Sequence, residues 1–195
     1  MSNTTTAAAL VPFEYPQMFE FPPFFTRQPT ISTWTDQLNQ WISLITSYYR
    51  SHRLFTIDDI DTAITRLPFS NPRINRNLSA ATLVEIIDGM VKSGSAEWIT
   101  PSKSCIIWWQ RAGAWADQLH KYAVDSGLTG SIMTAYELID DEDDPETDAL
   151  AQQAMASGRV SAATFRGLPP IIMHRCLVIL VNSGKAQTFT QDGGP

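Results

Sequence analysis

VKSGSAEWIT, residues 91–100, and VNSGKAQTFT, residues 181–190, share valine, serine, glycine, alanine and threonine at five of ten positions. The two stretches start at 91 and 181, an offset of 90 residues, and the match continues upstream as pattern. Leu78, Leu83, Ile87 and Met90 correspond to Leu168, Met173, Leu177 and Leu180. Turn, pattern and identity agreeing at one offset mark two copies of one module.

Each copy follows the same local logic. In the first, Ser79 is placed to cap a helix whose apolar positions Leu83, Ile86, Ile87, Met90 and Val91 recur at helical spacing. Gly94 follows the last turn, where a left-handed residue suits a helix stop. AEWI and CIIWW, separated by TPSKS, read as a hairpin. In the second copy Pro169 and Pro170 open the helix, where a missing N–H costs little. Its stripe is Ile172, Met173, Cys176, Leu177 and Leu180; Gly184 stops it, and AQTFT is predicted to begin a strand. QDGGP then follows, so the hairpin turn stands without its returning strand.

Another amphipathic helix precedes each copy. The first covers roughly Ser32 to Ser51, with Trp34, Leu38, Trp41, Ile42, Ile45, Tyr48 and Tyr49 on one side. The second covers roughly Gly113 to Ser126, with Trp115, Leu119, Tyr122 and Ala123. FTIDDIDTAI and SIMTAYELID each read as a brief strand running into a helix. Helix, short strand, helix, helix, hairpin is the order of a winged helix. The predicted fold is therefore α+β and mostly helical. An extended N-terminal arm over 1–29 precedes winged-helix domains over 30–111 and 112–195.

Composition narrows the function. Hydrophobic residues make up 44% of 195, which supports cores rather than disorder. A net charge of −6 opposes counterion release, the mechanism by which most proteins hold nucleic acid. The first copy's third helix offers Glu85, Asp88 and only Lys92, and the pair Arg73 and Arg76 is no phosphate-tracking stripe. His52, His120 and His174 are scattered, without a nucleophile–base grouping, a glycine-rich phosphate loop or HExxH, so no enzyme is expected. The acidic run DDEDDPETD, 140–148, lacks EF-hand spacing and reads as a solvated loop. Cys105 and Cys176 lie in apolar runs and read as buried reduced thiols, so no metal and no cofactor is expected. MSNTTTAAALVP lacks the basic start and apolar core of a signal peptide, and no apolar run reaches membrane-spanning length. The chain reads as soluble and cytosolic.

That leaves FEFPPFF, residues 19–25, with four phenylalanines and a proline pair. The prolines bar a helix interior and a central strand, and they stiffen the segment, lowering the entropy cost of docking it. Two readings of the arm stand. Its rings dock into a partner, or the arm folds back to cover its own first domain.

FPPFFTRQP, the helix bearing STWTDQLNQW, SGSAEWI with KS in the turn and WW beyond it, and the TAYEL segment together resemble the smallest subunit of the ESCRT-II complex, the vacuolar protein sorting-associated protein 25 family. The resemblance runs from about Phe13 to Phe189. It implies a non-catalytic adaptor in multivesicular-body sorting, cytoplasmic and peripheral at endosomal membranes, touching membrane only through its complex. It implies docking on two larger winged-helix subunits through a PPx-aromatic motif, which falls on Pro22, Pro23 and Phe25, with Phe19, Phe21 and Phe24 beside it. The family's last motif position is often tyrosine; Phe25 keeps the ring and loses the hydroxyl. The resemblance also implies recruitment of an ESCRT-III subunit of the charged multivesicular body protein 6 type by the second winged helix. Met133, Thr134, Glu137, Arg175 and Lys185 are the candidate contacts. The alternative class is a tandem winged-helix transcription factor that binds DNA.

Overall fold

The fold comes from a computed structural model that describes residues 13–132, 134, 160–161, 164–165 and 167–189. The chain divides into two units, Met1–Trp109 and Gln110–Pro195.

In the first unit, α1 (Ile31–Ser51) is the long amphipathic helix. Trp41, Ile45, Tyr48 and Tyr49 from the expected stripe are buried, as are Leu44 and the polar Gln37. Strand β1 (Thr56–Ile57) leads into α2 (Ile60–Ala63), whose cap is Asp59. The Asp59 carboxylate accepts from the backbone N–H and the hydroxyl of Thr62, and those bonds hold its pKa below the usual value. A two-residue ladder, β2 (Ser70–Asn71) against β3 (Arg76–Asn77), then intervenes. Nothing in the hydrophobic pattern announces it, because strands this short bury too little to leave a period.

Helix α3 (Ala80–Lys92) begins where Ser79 Oγ accepts the backbone N–H of Thr82 at 3.1 Å. Leu83, Ile86, Ile87 and Met90 are fully buried. α3 packs on α1 so closely that a Cβ on Gly89 would lie 3.0 Å from the Leu38 side chain. Strands β4 (Ala96–Thr100) and β5 (Ser104–Ile107) form the expected hairpin. β5 also pairs with β1, Thr56 opposite Ile106, giving the order β1-β5-β4. Three helices and this small antiparallel sheet around one core make a winged helix.

The second unit repeats the outer parts. α4 (Ala112–Asp125) buries Trp115, Ala116 and Leu119. α5 (Pro170–Asn182) buries Ile172, Met173, Cys176 and Leu180, and packs on α4. Phe165 sits between Trp115 and Tyr122, at 6.5 and 5.8 Å between ring centroids.

The helix stops repeat bond for bond. Ser95 N–H donates to Met90 O and Lys185 N–H to Leu180 O, both at 2.8 Å. Gly94 and Gly184 donate to Val91 and Val181, at φ of +73° and +69°. The copies then part. Ala186 to Phe189 form no strand, which corrects the reading of AQTFT, and Phe189 is exposed. A strand needs a ladder for its backbone groups, and none of the described residues supplies one there. Most of SIMTAYELID and all of the acidic run lie outside the described residues.

Candidate functional site: the proline–aromatic turn

Prolines leave the arm a short list of conformations, and it takes tight turns. Gln17–Glu20 and Pro22–Phe25 are two single 3-10 turns, closed by Phe19 N–H to Pro16 O, Phe21 N–H to Met18 O, Phe24 N–H to Phe21 O and Thr26 N–H to Pro23 O at 2.9–3.1 Å. Tight turns leave carbonyls unpaired on their inner side, and α1 answers them. Gln37 Nε2 donates to the carbonyls of Phe24 at 2.7 Å, Thr26 at 3.1 Å and Pro23 at 3.4 Å, while its Oε1 accepts the N–H of Gln28 at 3.2 Å. Trp41 Nε1 donates to Phe24 O at 3.1 Å. From the other side, Asn71, itself buried, donates to Phe19 O at 2.7 Å.

The rings follow the backbone inward. Phe24 stacks flat on Trp41, 4.3 Å between centroids and 8° between planes, and Phe25 meets the same indole edge-on at 5.5 Å. Phe19 stacks on Tyr15 at 4.2 Å and touches Phe25. Phe19, Phe24 and Phe25 are between 3% and 4% exposed and belong to the core formed with α1 and α3. Of the six arm residues read as partner contacts, these three are therefore interior. Of the two readings of the arm, folding back holds for these three rings, which corrects their reading as partner contacts: the first winged helix is completed by its arm. The reason is Gln37 and Trp41, whose polar atoms satisfy the turn and so allow its rings to be buried.

Phe21 is the exception. It is 59% exposed, and Pro22 and Pro23 beside it are exposed too. The surface around them is charged and paired. Arg27 reaches Glu85 of α3 at 2.7 Å and lies over Trp34, and Arg73 reaches Glu20 at 2.8 Å. A groove of about 440 Å³ opens between the arm and α1, lined by Phe13, Tyr15, Met18, Leu44 and polar residues of the helix. Burial pushes the Tyr15 hydroxyl up to about 12, and Tyr48 beside it adds to the shift. The exposed side of α3 carries Glu85, with Asp88 accepting from Trp98 Nε1 at 2.9 Å. An acidic third helix is a poor match for DNA phosphates.

In the second unit the candidates separate. Met133 and Glu137 lie outside the described residues. Thr134 is exposed and Arg175 is partly buried on α5, while Lys185, beyond the helix stop, meets Asp117 of α4 at 3.5 Å. Two residues that matter were missed. Gln37 left a trace, a polar side chain one turn before Trp41 on the apolar stripe. Asn71 left none.

Fold and site together define a tandem winged-helix protein with a rigid proline–aromatic turn on its first domain. A family model for an ESCRT-II complex subunit matches residues 18–152. The vacuolar protein-sorting-associated protein 25 of Danio rerio is 32% identical over 183 residues, which is 93% of this chain and 95% of that protein. The Arabidopsis thaliana protein of that name is 33% identical over 92% of this chain and 90% of its own. The crystal structure of subunit VPS25 of the endosomal trafficking complex ESCRT-II superposes with a TM-score of 0.71 at 23% identity, covering 91% of this chain and 92% of that one. A chain in the crystal structure of the endosomal complex ESCRT-II (VPS22/VPS25/VPS36) gives the same TM-score, covering 91% and 94%. The chain belongs to the ESCRT-II complex subunit family, among the vacuolar protein sorting-associated 25 proteins.

Proposed function

We infer that this chain is a non-catalytic adaptor that docks on two larger winged-helix subunits of ESCRT-II through Phe21, Pro22 and Pro23. The observation that carries the reading is the exposure of one ring and two prolines on a turn whose backbone is already fixed. Docking such a turn orders little new chain, so burial of Phe21, worth about 1.5–3 kcal/mol, goes largely into binding. Phe19, Phe24 and Phe25 hold the turn in shape from below. The likeness to a chain found with VPS22 and VPS36 supports the identity of the partners.

The second winged helix hands assembly on to an ESCRT-III subunit of the charged multivesicular body protein 6 type. Exposed Val178 and Val181 next to partly buried Arg175 on α5 support a contact there. In this role the chain works at endosomal membranes from the cytoplasmic side, through its complex.

The test is Phe21→Ala in the full chain, co-expressed with the two larger subunits. Co-purification is expected to fall sharply while the isolated variant melts as the parent does. Unchanged association would remove the turn as the docking element. Tight, strongly salt-dependent binding to DNA would favour the transcription-factor class instead.

A further inference from the structure

Two side-chain amides share the carbonyls of the proline–aromatic turn, one from the interior and one nearer the surface. Gln37 is buried and donates to Pro23 O, Phe24 O and Thr26 O. Gln28 is partly buried, and its Nε2 donates to two of the same carbonyls, Pro23 at 3.1 Å and Thr26 at 2.9 Å. The two glutamines are joined, because the backbone N–H of Gln28 donates to Gln37 Oε1. Phe24 O is held twice, by Gln37 and by Trp41 one helical turn further along α1. The Phe24 N–H donates in turn to Phe21 O at 2.9 Å. A run of hydrogen bonds therefore leads from α1 through the backbone of Phe24 to that of Phe21, whose ring is exposed. Pro22 and Pro23 have no N–H to offer, so donors aimed at carbonyls are what fix this turn from outside.

We propose that Gln28 and Gln37 are positioning residues for docking, setting the direction in which Phe21 meets the larger subunits. The proposal rests on the docking reading above and deepens it by assigning what aims the ring. A ring on a loose turn must be ordered as it binds, and that cost is subtracted from the affinity. Two amides already bonded to the turn remove the cost before the partner arrives. The role needs donors, not polarity alone. Gln37→Glu keeps an oxygen for the Gln28 N–H but sets a carboxylate against the carbonyls of Pro23, Phe24 and Thr26. Gln28→Ala removes two bonds near the surface and leaves those of Gln37 and Trp41 in place.

The experiment measures affinity of the full chain for the co-purified larger subunits by titration calorimetry, with amide hydrogen exchange and thermal melting of the free chain. It compares the parent with Gln28→Ala, Gln37→Glu, Phe21→Ala and Ile86→Val, the last a fully buried position of α3. Gln28→Ala is expected to weaken binding about threefold or more at an unchanged melting temperature. Gln37→Glu should weaken it about tenfold or more. In that variant the amides of Phe24, Thr26 and Gln28 should lose protection while those of Leu83 and Ile87 in α3 keep theirs. Ile86→Val should lower the melting temperature and leave affinity at the parent value, which separates aiming the ring from general stability. If both glutamine variants bind as the parent does while Phe21→Ala abolishes binding, the positioning role is overturned and the docking turn survives. If none of the three weakens binding, both fall. If Ile86→Val weakens binding as much as Gln37→Glu, the amide acts through general stability and the proposal fails.

Discussion

Four backbone groups converge on the side-chain amide of Gln37, three carbonyls and one N–H, and this sets the fate of the rings around it. An amide has two hydrogens to donate, so the three carbonyls share both of them, while its oxygen takes the one N–H. Phe24 above it is 4% exposed and stacked on Trp41, so Phe24→Ala leaves a cavity against a flat indole. A loss of about 3–5 kcal/mol is expected in denaturant unfolding. Phe21→Ala, at an exposed position of the same motif, should change stability by no more than about 0.5 kcal/mol. Two phenylalanines in one motif thus separate a folding role from a surface role. Sequence could not make that separation: FEFPPFF shows which residues are apolar, while the direction each ring takes depends on Gln37 and Asn71, twelve and forty-six positions beyond Phe25.

At the scale of elements, periodicity was a dependable guide where a helix buries one face. The stripes of α1, α3 and α5 were legible because Trp41, Leu83 and Ile172 each recur with neighbours at helical spacing. It failed where pairing is local and brief, as in β2–β3, or where pairing is absent, as at Ala186 to Phe189. The helix stops were legible through glycine. Gly94 and Gly184 hold positive φ with open space where a Cβ would stand, so substitution meets only the backbone penalty. Gly94→Ala and Gly184→Ala should each cost about 1 kcal/mol, measured as a shift in thermal midpoint. Near-equal costs in the two copies would be the energetic counterpart of their matching hydrogen bonds.

For the whole molecule, the repeat carried the architecture and the resemblance carried the biology; neither carried the interior arm. No helix among the described residues is long and apolar enough to cross a membrane. Each unit holds one buried thiol, and burial pushes Cys105 up to about 12 and Cys176 up to about 11 from an ordinary 9.0. Both folded values are raised, so the native state keeps the neutral thiol while the unfolded chain ionises. Their contribution is complete below pH 9.0 and is lost as pH climbs towards those folded values. Both units should therefore weaken in alkali, with unfolding free energy by urea titration falling from about pH 9 upward. Cys105→Ala and Cys176→Ala variants should show a shallower fall. The arm has a last consequence, and it concerns time. A turn stacked on Trp41 and held by Gln37 cannot reach ahead of its domain to catch a partner. Encounter is then a collision of two shaped bodies that must meet in one orientation, the regime of about 10⁵–10⁷ M⁻¹ s⁻¹. Under the docking proposed above, assembly would be unhurried at that first touch, and the lifetime of the complex would be set by how slowly Phe21 leaves the partner.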